Sequence, residues 1–158
     1  MPAPGFSIRP ATEDDLGKLL EIELRVHVAP WSLENFRSEL TKPFGRLLVM
    51  TDDETDETIA GYIVLWLLMD EAQILNLAVD VPFQRRGIAR ELLRCAVNQA
   101  VKQGAKRVVL DVRKSNAAAI QLYQSAKFSI TQVRKRFYSN GEDAYTMSLD
   151  LTDKIIEF

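Results

Sequence analysis

One cysteine and one histidine among 158 residues leave little room for thiol or metal chemistry. Cys95 alone cannot close an internal disulfide, and its place in an amphipathic stretch reads as a packed thiol rather than a nucleophile. His27 has no Cys or His partners at metal-ligand spacing, so no metal is expected. Neither sign of charge is in excess. Twenty basic against 22 acidic residues give a net charge of −2, which offers no long-range attraction to nucleic acid or an anionic membrane. No apolar run approaches the ~20 residues needed to span a bilayer. Residues 1–5 lack both the positive start and the apolar core of a secretory signal, so a cytoplasmic protein is expected. Repeats, low-complexity tracts and Pro/Gly/Ser linkers are also missing, and residues 1–158 read as one domain, large enough to bury a core without staples.

What is present alternates between strand and helix patterning. Thr12, with Asp15 three residues on, caps a helix whose apolar set is Leu16, Leu19, Leu20 and Ile22. Ser32 caps a second, carrying Leu33, Phe36 and Leu40 and ended by Pro43. Residues 88–103 are apolar at 88, 92, 93, 96, 97 and 100, the stripe of a helix lying on a sheet, with Gly104 as terminator. Ser115 or Asn116 caps a shorter helix to about Ser125. Strands are expected over residues 6–9, 47–50, 59–68, 72–80, 107–112, 128–134 and 144–151. The acidic run from Asp52 to Glu57 joins two of them as a solvated hairpin loop, and Asn140-Gly141 marks a tight hairpin turn between the last two. The class is mixed α/β (α+β).

Between the strand ending at Val79 and the helix starting near Ile88 lies Gln84-Arg85-Arg86-Gly87-Ile88-Ala89. Gly87 lets backbone approach phosphate oxygens, unpaired N–H groups open the helix, and Arg85, Arg86 and Arg90 add positive charge. Alone, such a loop is commonly only solvated. Together with Asp111-Val112-Arg113-Lys114-Ser115-Asn116 and Ala119-Ile120-Gln121-Leu122-Tyr123, however, it resembles the GNAT acetyltransferases, whose cofactor motif Gln/Arg-x-x-Gly-x-Gly/Ala is matched from Gln84 to Ala89. Within that superfamily, residues 75–150 most resemble the ribosomal-protein-alanine N-acetyltransferases, through Asn76-Leu77-Ala78-Val79-Asp80, Ser115 to Ile120 and Leu122-Tyr123. The N-terminal half is similar more loosely, through Ile8-Arg9-Pro10-Ala11-Thr12 and Pro30-Trp31-Ser32.

The resemblance implies the GNAT fold: a central, mixed, mostly antiparallel twisted sheet of about seven strands with four helices, its fourth and fifth strands splayed. It implies that acetyl-CoA is the acetyl donor, held by the backbone of Leu77, Ala78 and Val79, by Gln84, Arg85, Arg86, Gly87, Ile88, Ala89 and Arg90, and by Asn116, Ala119 and Tyr123. The Val79 N–H would polarise the thioester carbonyl. Asp111 is the implied general base, one methylene shorter than the glutamate of close relatives, which favours action through a bridging water. A strand-end aspartate paired with Arg113 or Lys114 is the bland alternative. Tyr123 would protonate the departing thiolate, or be simply a packed tyrosine; Asn116 could contact the cofactor, cap its helix, or both. Tyr138, after Phe137 where relatives have a second tyrosine, and Trp31 would border the acceptor. Relatives also carry Leu-Gly-Phe where this chain has Ala126-Lys127-Phe128, so Lys127 must either turn left-handed, at ~1–2 kcal/mol, or end the helix differently.

The implied acceptor is the N-terminal α-amine of a protein, with an alanine-starting ribosomal protein as one such substrate. Deprotonating an α-amine of pKa ~7.8 costs ~1 kcal/mol at pH 7, against ~4–5 for lysine at ~10.4, so a weak base suffices. A lysine or small-molecule acetyltransferase and a non-catalytic CoA-binding module remain alternatives. An RNA-binding role for Arg85, Arg86 and Arg134 to Arg136 is disfavoured by the net charge and by the lack of interleaved stacking aromatics.

Overall fold

The apolar alternation and helix caps read from the sequence become seven strands and four helices in the structure, a computed structural model that describes residues 5–55 and 58–152. Residues 1–4, most of the segment found to lack the features of a secretory signal, and Asp56 and Glu57 of the acidic run lie outside the described residues. The strands are β1 (Phe6–Pro10), β2 (Gly45–Asp52), β3 (Ile59–Leu68), β4 (Glu71–Val79), β5 (Arg107–Arg113), β6 (Ser129–Arg134) and β7 (Ala144–Asp150). The helices are α1 (Leu16–Val26), α2 (Leu33–Glu39), α3 (Ile88–Lys102) and α4 (Ala117–Ser125). The sheet order is β1-β2-β3-β4-β5-β7-β6, and β4 with β5 is a parallel pair among otherwise antiparallel neighbours whose register is defined.

Two compact units divide the chain: residues 1–66 with 76–96, and residues 67–75 with 97–158. In the first, Thr12 N–H donates to Asp15 Oδ2 (2.7 Å), but one turn of 3-10 helix over Glu13–Asp15 intervenes before α1 begins. Ser32 caps α2 as expected, accepting from Asn35 N–H at 3.1 Å. Leu16, Leu19 and Ile22 of α1 and Phe36 of α2 are buried, each worth about 1.5–3 kcal/mol of hydrophobic stabilisation. β2 and β3 form the expected hairpin, with Val49 opposite Tyr62. All six apolar stripe positions of α3 are buried.

In the second unit, the parallel register runs from Glu71 opposite Arg107 to Ile74 opposite Leu110. Beyond it, β5 stays paired with β7 as far as Arg113. The last two strands lie on either side of Asn140-Gly141 as expected. A connection over residues 135–143 separates β6 from β7, and the turn sits within it, with Gly141 N–H donating to the Tyr138 carbonyl (2.9 Å) and Gly141 at φ 85°. Asp143 holds this connection, accepting from Arg136 N–H (3.0 Å) and Lys135 Nζ (3.2 Å). Lys127 takes the left-handed option, with φ 76°. Among the described residues, no helix is long and apolar enough to cross a membrane.

Candidate active site

Where β4 ends in the first unit, Asp80 Oδ1 accepts from Val81 N–H (2.9 Å), and a 3-10 turn over Val81–Phe83 leads into the basic loop. Arg85 and Gly87 there have φ of 63° and 80°. Left-handed residues in a short loop swing neighbouring N–H groups toward one side, which is how backbone cradles an anion. For Arg85 the conformation costs ~1–2 kcal/mol, a local strain of the kind that binding loops retain. α3 then begins at Ile88, and its first-turn N–H groups, with Ala89 and Arg90, have no carbonyl of the same helix to bond. Gln84 Nε2 donates to the Val79 carbonyl (3.0 Å), and the Arg86 guanidinium lies 5.3 Å and 5.6 Å from the ring centres of Phe6 and Phe83. Arg85 is exposed. Left-handed loop residues, a helix start and an exposed arginine are features that suit an anion.

The stretch Leu77, Ala78 and Val79 is shaped by its neighbour β3. A Cβ on Gly61 would stand 2.6 Å from the Ala78 carbonyl oxygen, so this close approach of backbones requires glycine. Asn76 and Asp80 bracket the stretch, and α1 holds both. Arg25 grips Asp80 through Nε to Oδ1 (3.0 Å) and an η-nitrogen to Oδ2 (2.9 Å). Asn76 Nδ2 donates to Glu23 Oε1 (2.8 Å), and His27 Nε2 lies 2.9 Å from Asn76 Oδ1. Glu23, only 1% exposed, also accepts from the Tyr62 hydroxyl (2.6 Å) and, at Oε2, from Trp31 N–H (2.9 Å). Burial first, then the Glu23 hydrogen bond, raises the Tyr62 phenol above its ordinary pKa and keeps it a donor.

Sequence reasoning missed this cluster, although a signal existed: Glu23 falls on the apolar stripe of α1, seven residues after Leu16 and four after Leu19, where a charge needs a reason. Trp31, expected at the acceptor rim, is half-buried, its ring 5.2 Å from that of Phe36.

In the second unit, β5 and β7 place Asp111 directly opposite Thr146. Thr146 Oγ1 donates to Asp111 Oδ1 (2.6 Å), Arg134 Nε donates to Thr146 Oγ1 (3.0 Å), and Arg134 Nε stands 3.4 Å from Asp111 Oδ1. Asp111 is therefore paired, but with Arg134 rather than Arg113 or Lys114. Arg113 instead bridges to Glu142 (3.1 Å) and stacks over Tyr138 at 3.9 Å. Glu142 Oε2 also accepts from Ser115 N–H (2.8 Å), at the start of the α4 cap. Asn116 Oδ1 accepts from Ala119 N–H (3.2 Å), so its side chain does cap α4.

Tyr123 is buried, with its ring 5.8 Å from Phe128, and burial raises its phenol well above the ordinary value, with Tyr138 adding to the effect. Tyr138 is raised by burial too; Arg113 opposes this, whereas Asp111 and Glu142 contribute. Tyr138 thus falls within electrostatic reach of both Asp111 and Tyr123. Both phenols stay protonated and able to donate at neutral pH, beside a carboxylate whose Oδ1 is occupied and whose Oδ2 carries no hydrogen bond among the described residues.

Comparison with known proteins shows the family. The sequence pattern described as Acetyltransferase (GNAT) family matches residues 16–128. A [ribosomal protein bS18]-alanine N-acetyltransferase of Salmonella typhimurium is 36% identical over 141 residues, covering 87% of this chain and 93% of the relative. The crystal structure of the ribosomal-protein-S18-alanine N-acetyltransferase from Escherichia coli superposes with a TM-score of 0.84 at 32% identity, covering 97% of this chain and 98% of that one. A GNAT family acetyltransferase from Elizabethkingia anophelis, solved with acetyl-CoA bound, reaches a TM-score of 0.73 at 26% identity over 94% of this chain and 99% of its own. With the family pattern covering most of its length and a relative above 30% identity along nearly the whole of it, the chain belongs to the acetyltransferase (GNAT) family.

Proposed function

We infer that this enzyme transfers the acetyl group of acetyl-CoA to the N-terminal α-amine of a protein, and that a ribosomal protein beginning with alanine is its acceptor. The observation that carries the acceptor is likeness along nearly the full length to enzymes named for ribosomal-protein alanine acetylation. The family pattern spans residues 16–128 and so crosses both compact units, which favours reading them as one catalytic domain.

Acetyl-CoA, when bound, supplies an acetyl group activated as a thioester. The backbone of Leu77 to Val79 and the loop from Gln84 to Arg90 hold it, and Asn116 and Ala119 contribute from α4. The Val79 N–H draws on the carbonyl oxygen, which favours attack by the neutral amine at carbon. A C–N bond forms, the C–S bond breaks, and the amine proton passes through water to Asp111 Oδ2. An α-amine needs only a weak base to lose its proton, and a carboxylate supplies one. Tyr123 donates to the departing sulfur. A phenol at or above ~10 facing a thiol near ~8.5 is out of balance by at least ~2 kcal/mol, so Tyr123 stabilises the thiolate by hydrogen bonding before full proton transfer. Tyr138 and Trp31 border the acceptor peptide. The reaction is placed in the cytoplasm, where a lone thiol such as Cys95 stays reduced.

Two peptide pools incubated with acetyl-CoA test the reading by mass spectrometry, one with free α-amines and blocked lysines, the other reversed. Acetyl groups in the first pool alone are expected. Acetylation of the lysine pool alone would overturn the acceptor assignment.

A further inference from the structure

The carboxylate of Glu23 is buried on an apolar helix face and takes no part in the chemistry above. Burial of a charge costs stability unless donors compensate it, and a well-packed apolar residue usually serves a core at least as well. Glu23 is therefore retained for what it holds. Its three donors come from three parts of the first unit: Tyr62 from β3, Asn76 from β4 and the Trp31 backbone from the loop between α1 and α2. The same parts meet again through their rings, Trp31 against Phe36 (5.2 Å) and Phe36 edge-on to Tyr62 (5.5 Å). The circuit closes on itself, from carboxylate to Trp31 N–H, through three rings, and back by the Tyr62 hydroxyl. Since Asn76 Nδ2 is committed to Glu23, its Oδ1 must accept from His27 Nε2–H, which fixes the amide and brings a second residue of the loop into the same network.

We propose that Glu23 is a positioning residue for the acceptor side: its carboxylate locks the loop over residues 27–32 against Asn76, and thereby sets acceptor affinity. Asn76 directly precedes the stretch assigned to the thioester, and Arg25 pins the far end of that stretch through Asp80. Loosening Glu23 alone leaves the Asp80 anchor and the diphosphate loop intact, so acceptor binding suffers while donor binding does not. The kinetic part of the proposal rests on the α-amine reading; the structural part does not.

The test compares the full chain with Glu23→Gln and with Tyr62→Phe, which keeps the ring and removes only one donor. A glutamine at 23 must turn an N–H toward either Trp31 N–H or the Asn76 and Tyr62 donors, so one side of the network opens. Expected for Glu23→Gln is a rise of at least about ten-fold in KM for an α-amine peptide, with acetyl-CoA affinity within about two-fold of wild type. Amide hydrogen exchange of residues 27–32 should accelerate, and Tyr62→Phe should shift both readouts in the same direction by less. Equal losses for both substrates, or unchanged KM for the peptide, would overturn the proposal. Should the wild type acetylate no α-amine, the functional reading fails, and exchange alone decides the clamp: wild-type protection of residues 27–32 in both variants would overturn it.

Discussion

Two helices of the second unit end in the same way, and one does so at a cost. At the end of α3, Ala105 N–H donates to the Ala100 carbonyl and Gly104 N–H to that of Val101, both at 3.0 Å. At the end of α4, Phe128 N–H donates to the Tyr123 carbonyl and Lys127 N–H to that of Gln124, again both at 3.0 Å. The left-handed residue is Gly104 (φ 79°) in the first and Lys127 (φ 76°) in the second. Only the second carries a Cβ against its own carbonyl, at ~1–2 kcal/mol. Lys127 is exposed, and its side chain makes no hydrogen bond or ion pair among the described residues, so Lys127→Gly removes strain and little else. Glycine returns ~0.4–1 kcal/mol through its freer unfolded state, leaving a net gain of about 0.5–1 kcal/mol. For a chain of this size that corresponds to a rise in Tm of about 1–4 °C. Urea titration and calorimetry measure it, with Lys127→Ala as the control that keeps the Cβ and should be near neutral. A Lys127→Gly protein no more stable than wild type, or an alanine variant that gains as much, would refute the strain argument.

Tyr123→Phe should bind acetyl-CoA normally yet lose ~10²-fold or more in kcat, measured by thiol release; retained turnover would remove its role toward the leaving group. Asp111→Asn should lose a similar factor, with partial recovery in Asp111→Glu, whose longer side chain reaches without the bridging water. Gly61→Ala places a methyl 2.6 Å from the Ala78 oxygen, which should cost ~2–3 kcal/mol in urea titration and weaken acetyl-CoA binding in calorimetry. Asp15, held below its ordinary pKa chiefly by the Arg9 hydrogen bonds, contributes stability that is present above the unfolded value near ~3.9 and lost as pH falls through the lower folded value. Asp15→Asn should therefore be about 1–2 kcal/mol less stable than wild type at pH 7, with the gap closing as pH falls through the lowered folded value.

Helices and strands were legible because their signals are local. The α3 stripe at 88, 92, 93, 96, 97 and 100 needs only the 3.6-residue period, and Ser32 and Asn116 need only their own helix starts. The loop before α3 was legible for the same reason, since a glycine, arginines and a helix start are consecutive. What escaped depends on contacts far apart in the chain. Asp111 finds Arg134 and Thr146 only because β6, β7 and β5 lie side by side, so proximity in sequence pointed wrongly to Arg113 and Lys114. Glu23 was hidden similarly, its partners lying 39 and 53 residues away at Tyr62 and Asn76. The Asn140-Gly141 turn formed as read, while the anchoring of Lys135 and Arg136 by Asp143 was not legible in the dipeptide.

The left-handed Arg85 and the aromatic seat of Arg86 determine when the energy of the anion loop is spent. Phe6 and Phe83 hold one guanidinium in place, and the strain at Arg85 is met while the chain folds. On the proposed reading, a diphosphate arriving later would find its cradle already shaped. Little ordering entropy remains to be lost, so most of the electrostatic attraction is available for affinity, and the loop can release spent CoA without itself having to unfold.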